Sequence, residues 1–171
     1  MIPIVCVVGR TNSGKTTLIE KLIPALGRRG YRVATIKRHH HGDFEADHPG
    51  KDSWRHAQAG SVATALAGSH RLAVFQHLPH ELAPDVIAGL FVVPPDLVLT
   101  EGYKESGYPK IEVVRTAQGA EPLCGRDDRL VALVTDGPWD PGVPRFGLED
   151  VEGLARFIVD VLLARPSASP A

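Results

Sequence analysis

The chain has 171 residues, 43% of them hydrophobic and 23% charged, with a formal net charge of −1; this length fits one domain over residues 1–165, burying about 70% of its unfolded surface. The charge balance excludes a broad basic footprint for nucleic acid, and no apolar run approaches the roughly 20 residues of a membrane-spanning helix. Only two cysteines occur, Cys6 and Cys124, and Met1-Ile2-Pro3-Ile4 lacks a basic leader, so reduced thiols and a cytoplasmic location are expected.

Residues 4–8 form a short apolar, β-branched run, which predicts a strand buried on both faces. Between residues 14 and 26, Leu18, Ile19, Leu22, Ile23 and Leu26 recur at helical spacing. Pro24 should loosen that helix near its end, and Gly27 and Gly30 supply stop signals. Residues 32–36 predict a second strand. Residues 52–59 predict a short helix capped by Asp52 or Ser53. Residues 62–66 and 72–76 should pair as strands around Gly68-Ser69. A helix is expected from Pro79 to about Leu90, and short strands over 97–100, 110–115 and 130–135. A last helix beginning near Asp150 carries Val151, Leu154, Ile158, Val161 and Leu162 on one stripe. Residues 166–171, rich in Pro, Ser and Ala, have nothing to bury and should fray.

This alternation predicts an α/β fold with a mainly parallel sheet and helices on both faces. Right-handed crossovers place the carboxyl ends of the strands along one edge, where ligands of such folds bind.

Gly9-Arg10-Thr11-Asn12-Ser13-Gly14-Lys15-Thr16 matches GxxxxGK[ST] in full, between a predicted strand and a predicted helix. Glycines let the backbone wrap a phosphate without Cβ clashes. Successive N–H groups and the helix N-terminus present positive charge to it. Lys15 is expected at the β- and γ-phosphates, the Thr16 hydroxyl on Mg²⁺, and Thr17 beside them at the end of the loop.

Residues 96–102, Asp-Leu-Val-Leu-Thr-Glu-Gly, resemble a Walker B strand. Asp96 and Glu101 stand roughly 16 Å apart along it. Only Glu101 shares the phosphate-loop edge, so Glu101 is expected near Mg²⁺ or an attacking water, and Asp96 is expected to cap or turn. The loop after the second strand holds Lys37, the run His39-His40-His41, and Asp52. In phosphate-loop enzymes this position often carries a segment that closes over the metal and γ-phosphate. Lys37 is expected to touch phosphate, and Asp52 to touch the metal through water. Three consecutive histidines in an extended loop point different ways and make a poor shared metal site.

Thr135-Asp136 ends another strand on the same edge. A carboxylate accepts hydrogens from N1 and the 2-amino group of guanine, whereas adenine has no hydrogen on N1. Asp136 therefore favours GTP over ATP, unless, with Gly137-Pro138 following, it only forms a turn.

The phosphate loop, Thr35-Ile36-Lys37 followed by histidines, and Asp52-Ser53-Trp54-Arg55 resemble the molybdopterin-guanine dinucleotide biosynthesis protein B family, MobB. So do Leu99-Thr100-Glu101-Gly102-Tyr103-Lys104, Tyr108-Pro109-Lys110-Ile111 and Thr135-Asp136. The resemblance covers about residues 2–163. It implies a SIMIBI-like phosphate-loop GTP-binding protein, usually a homodimer, with weak Mg²⁺-dependent GTPase activity. Its partner would be the transferase that attaches GMP to molybdopterin. Residue by residue, Gly14, Lys15 and Thr16 take phosphate and metal, Lys37 and Asp52 fall in a switch-like region, Glu101 at the Walker B end, and Asp136 at the base-reading position. Lys104, Lys110 and Arg115 are candidates for the phosphate of molybdopterin itself. Arg10 is a candidate cationic finger for the transition state.

Two other readings use the same loop. A small-molecule kinase would need an acceptor pocket and an arginine lid, for which Arg126, Arg129 and Arg145 are available. A nucleotide-dependent adapter without relevant catalysis would use GTP only to hold a docking surface.

Overall fold

The computed structural model describes residues 1–39, 47–119, 121–125, 127, 129 and 130–163. The fold has two compact units. One comprises Met1–Arg38 with Ala83–Ala171, the other His39–Leu82.

The first unit is built on a six-stranded sheet. Its strands are β1 (Ile4–Val8), β2 (Val33–Lys37), β5 (Leu97–Glu101), β6 (Lys110–Val114), β7 (Leu130–Thr135) and β8 (Arg145–Phe146). They lie in the order β2-β5-β1-β6-β7-β8, and every pairing is parallel. This is the α/β architecture expected from the alternation of elements.

β1 is buried along its whole length, and the pleat divides it between two cores. Val5 and Val7 join Leu18, Leu22 and Leu26 of α1 (Lys15–Gly27) and Leu154 and Ala155 of α4 (Val151–Phe157). Ile4, Cys6 and Val8 face the other way, onto Ile36, Val98, Leu130 and Ala88 of α3 (Pro84–Ala88). A strand that feeds two cores has no polar face, which is why the run at residues 4–8 shows no alternation.

Three local expectations are corrected. The helix after Pro79 is only α3, because Pro84 drives Ala83 into an extended conformation (ψ 151°) and itself takes the first helical turn. The cap of α2 (Asp52–Gln58) is Lys51, which makes no side-chain capping bond. At the C-terminus, α4 is capped by Asp150, which accepts from the Gly153 N–H at 3.0 Å. It passes into a π-turn over Ile158–Leu162, and the wider turn rotates Val161 out of the expected stripe, leaving it 59% exposed. Pro24 is accommodated in α1, which ends one turn later with the Arg28 N–H bonded to the Pro24 carbonyl at 2.9 Å.

The second unit holds α2 and an antiparallel hairpin, β3 (Ala63–Ala67) and β4 (Leu72–Gln76), joined around Gly68-Ser69. Among the described residues, no helix is long and apolar enough to cross a membrane. Residues 166–171 lie outside the described residues.

Candidate functional site

Parallel pairing brings the carboxyl ends of β1, β2, β5, β6 and β7 to one edge of the first unit. Lys37 and Glu101 are register partners, as are Val7 and Glu101, and Val114 and Thr135.

The phosphate loop leaves β1 through Gly9 and enters α1 through Gly14. Both glycines are left-handed, with φ of 139° and 100°, and Asn12 between them has φ 62°. A Cβ on Gly9 would stand 2.4 Å from the Val113 carbonyl oxygen, so only glycine fits where the loop crosses β6. The first-turn N–H groups of α1, at Lys15, Thr16 and Thr17, have no acceptor within the helix. The Ser13 hydroxyl is buried without a hydrogen-bond partner. This left-handed, glycine-flanked turn running into a helix N-terminus fits a phosphate group.

Lys15 folds over the loop and donates to the Arg10 carbonyl at 2.6 Å. Burial holds its ammonium below the ordinary lysine value, Glu101 opposes the shift, and Lys37 adds to it. Glu101 stands at the centre of the cluster. One carboxylate oxygen accepts from the Thr16 hydroxyl at 3.0 Å, and the other meets the Lys37 ammonium at 3.2 Å. A hydroxyl and a carboxylate at the mouth of the loop are the oxygen donors Mg²⁺ prefers. Asp96, just before β5 at the end away from the loop and expected to cap or turn, pairs with Arg32 through both carboxylate oxygens at 3.0 Å.

Asp136 is exposed just beyond β7. Its Oδ1 accepts from the Thr116 N–H at 2.6 Å and the Thr116 hydroxyl at 2.9 Å. These bonds, the backbone one first, hold its carboxyl below the usual carboxylate range. Thr135 is buried, and its hydroxyl accepts from the Gly137 N–H at 2.9 Å. A Cβ on Gly137 would stand 2.1 Å from the Trp139 ring, so the indole packs directly on this backbone.

The remaining sequence candidates separate. Asp52 begins α2 in the second unit, exposed and 4.0 Å from Arg55. Among His39-His40-His41, only His39 is described. Among the described residues, no group of three or more His, Cys, Asp or Glu forms a metal-binding set. Arg10 and Thr11 are exposed. Lys110 is no acceptor for molybdopterin phosphate: it is 1% exposed, bonded to the Ser106 carbonyl at 2.6 Å and paired with Asp127 at 2.9 Å. Lys104 stays exposed, 3.5 Å from Glu105. Of the arginines that a kinase lid would use, Arg145 donates to the Gly137 carbonyl at 2.8 Å, and Arg126 lies outside the described residues.

Sequence reasoning missed the outer wall of the loop. Arg115 donates to the Ser13 carbonyl at 3.1 Å, and Gln118 to the Thr11 carbonyl at 2.7 Å. It also missed Glu112, 1% exposed, whose two oxygens accept from the N–H groups of Leu123 (2.6 Å) and Cys124 (2.9 Å). Burial pushes that carboxyl up, against the two backbone bonds and the Arg10 charge. The only signal for it was a charged residue between the apolar Ile111 and Val113 of β6.

The family described as "MobB: Molybdopterin guanine dinucleotide synthesis protein B" matches residues 4–136. The chain is 38% identical over 164 residues to the molybdopterin-guanine dinucleotide biosynthesis adapter protein of Escherichia coli (strain K12), covering 94% of this chain and 93% of that one. It is 37% identical over 158 residues to the protein of the same name from Haemophilus influenzae, covering 92% and 88%. A crystal structure of molybdopterin-guanine biosynthesis protein B (mobB) superimposes with a TM-score of 0.73 at 33% identity, covering 93% of this chain and 98% of that one. A family match across most of the sheet, from β1 to Asp136, joined to near full-length similarity in sequence and fold, establishes that this chain belongs to the MobB family.

Proposed function

We propose that this protein is a GTP-binding adapter in molybdopterin guanine dinucleotide biosynthesis, with slow Mg²⁺-dependent GTP hydrolysis. The observation that carries the proposal is the meeting of Thr16 and Lys37 on Glu101 at the mouth of the glycine-flanked loop, over which Lys15 folds. The named relatives are biosynthesis adapter proteins, and the transferase that attaches GMP to molybdopterin is the partner this role requires. A homodimer is part of the same proposal.

In this reading the loop N–H groups and Lys15 grip the β- and γ-phosphates. Thr16 and Glu101 would hold Mg²⁺, which would supply charge neutralisation at the terminal phosphates. Glu101 orients the attacking water, and Lys37 stays paired with it or turns to phosphate. Asp136 reads the guanine edge through N1–H and the 2-amino group. Arg10, exposed in the loop, is the candidate cationic finger; without an engaged finger phosphoryl transfer loses roughly 10³–10⁵ in rate, so turnover should be slow.

The test is Glu101→Gln, read by calorimetric GTP titration and by phosphate release. The expected result is GTP binding within about threefold of the parent and phosphate release reduced at least about tenfold. Undiminished phosphate release would remove Glu101 from the reaction. Normal support of cofactor maturation by a variant that binds but does not hydrolyse GTP would favour the adapter without catalysis.

A further inference from the structure

Three side chains following β6 act on the phosphate loop or on the base-reading carboxylate. Arg115 holds the Ser13 carbonyl, Gln118 holds the Thr11 carbonyl, and Thr116 holds Asp136. Thr116–Gln118 is a single 3-10 turn, so the three contacts are rigidly spaced. The Arg115 guanidinium also lies only 3.1 Å from the Cβ position of Gly14, flush against the outside of the loop.

A trans peptide is planar, and its C=O and N–H point in opposite directions. The peptide that carries the Ser13 carbonyl also carries the Gly14 N–H. The peptide that carries the Thr11 carbonyl carries the Asn12 N–H. Fixing each carbonyl toward the brace therefore aims each N–H away from it. Asn12 and Gly14 are two of the three positive-φ residues of the loop, with Gly9, and a glycine such as Gly14 leaves its peptide free to turn unless something holds it. Thr116, the neighbour of Arg115 in the chain, bonds Asp136, whereas Thr16 and Lys37 bond Glu101. The brace thus stands on the Asp136 side of the loop, outside the proposed metal cluster.

We propose that Arg115 and Gln118 are positioning residues for the triphosphate: by holding the Ser13 and Thr11 carbonyls, they preset the Gly14 and Asn12 N–H groups for an anion. They act through the loop and touch no nucleotide. This inference rests on the GTP-binding reading above and deepens it.

The full-length chain and its Arg115→Ala, Arg115→Lys and Gln118→Ala variants would be titrated with GTP and with GMP in the presence of Mg²⁺. Far-UV dichroism and a melting curve would establish that each is folded. GTP affinity should fall about tenfold in Arg115→Ala and about threefold in Gln118→Ala, the scale of one charged and one neutral hydrogen bond. GMP, which lacks the β- and γ-phosphates, should change by less than about twofold, a selectivity that a merely structural role would not produce. Arg115→Lys, which keeps a cationic donor, should recover part of the loss. Folded variants that bind GTP like the parent, or that lose GTP and GMP by the same factor, would overturn the brace. If Arg115→Ala fails to fold, the exposed Gln118 contact decides by the same criterion. Failure of the parent chain to bind GTP at all would instead overturn the GTP-binding reading on which the brace depends.

Discussion

On one flank of the phosphate loop, Glu101 meets Thr16 and Lys37 through side-chain atoms alone. On the other, Arg115 and Gln118 grip main-chain carbonyls of the loop itself, and Asp136 is anchored by the Thr116 backbone N–H as well as its hydroxyl. Side-chain pairs of exposed groups contribute little to stability and exchange partners readily. Main-chain contacts fix shape, because a peptide plane cannot turn without breaking them. The contrast assigns rearrangement to the Glu101 flank and preorganisation to the Arg115 flank. Each flank carries one acid on the same edge of the parallel sheet, Glu101 at the end of β5 and Asp136 just beyond β7.

The strongest way to break the distinction is to remove the shape that both flanks share. Gly9→Ala places a Cβ 2.4 Å from the Val113 carbonyl at φ 139°. The expected loss is about 3 kcal/mol of stability, read as a fall in the denaturant midpoint, with nucleotide binding lost as well. Parent-like stability would mean that the loop is not pressed against β6.

The Asp136 flank can be altered chemically while its anchor is kept. Asp136→Asn retains an oxygen acceptor for Thr116 and offers the base an amide donor. Preference should move from GTP toward XTP by about tenfold, measured by competition between the two nucleotides. An unchanged preference would remove Asp136 from the base pocket.

A smaller effect should come from pH on the Glu101 flank. Burial lowers the Lys15 value in the free protein, and an anion against the ammonium raises it again. Binding then takes up a proton between the two values. GTP affinity should be flat near neutrality and fall as pH rises through the lowered Lys15 value, earlier than for an ordinary lysine. Lys15→Arg, which cannot deprotonate in this range, should lose that dependence. The same alkaline fall in Lys15→Arg would assign the titration elsewhere.

How much was legible in the sequence follows from the range of each interaction. The strand at residues 4–8, the hairpin around Gly68-Ser69 and the Asp150 cap each announce themselves within a few residues. The meeting of Lys37 with Glu101 was reachable by inference, since parallel strands end on one edge and the two are register partners. The brace was not. Arg115 reaches Ser13 across 102 residues and Gln118 reaches Thr11 across 107, and a side chain on a carbonyl leaves no spacing pattern. Lys110 was misplaced and Glu112 went unread for a related reason. Charged residues are read as solvated, yet Asp127 and two backbone N–H groups compensate them inside the fold. The overlong helix after Pro79 came from weighing apolar spacing above Pro84, whose backbone constraint wins.

The central claim is that the turn between β1 and α1 grips the phosphates of a guanine nucleotide. Isothermal titration of the purified chain with GTP and Mg²⁺, beside Lys15→Ala, tests it most directly. The account predicts saturable heat for the parent chain and an affinity about a hundredfold weaker for the variant, the upper scale of a lost charge-assisted bond. A folded parent chain that gives no heat with GTP or ATP, or a Lys15→Ala variant that binds as tightly as the parent, would contradict it.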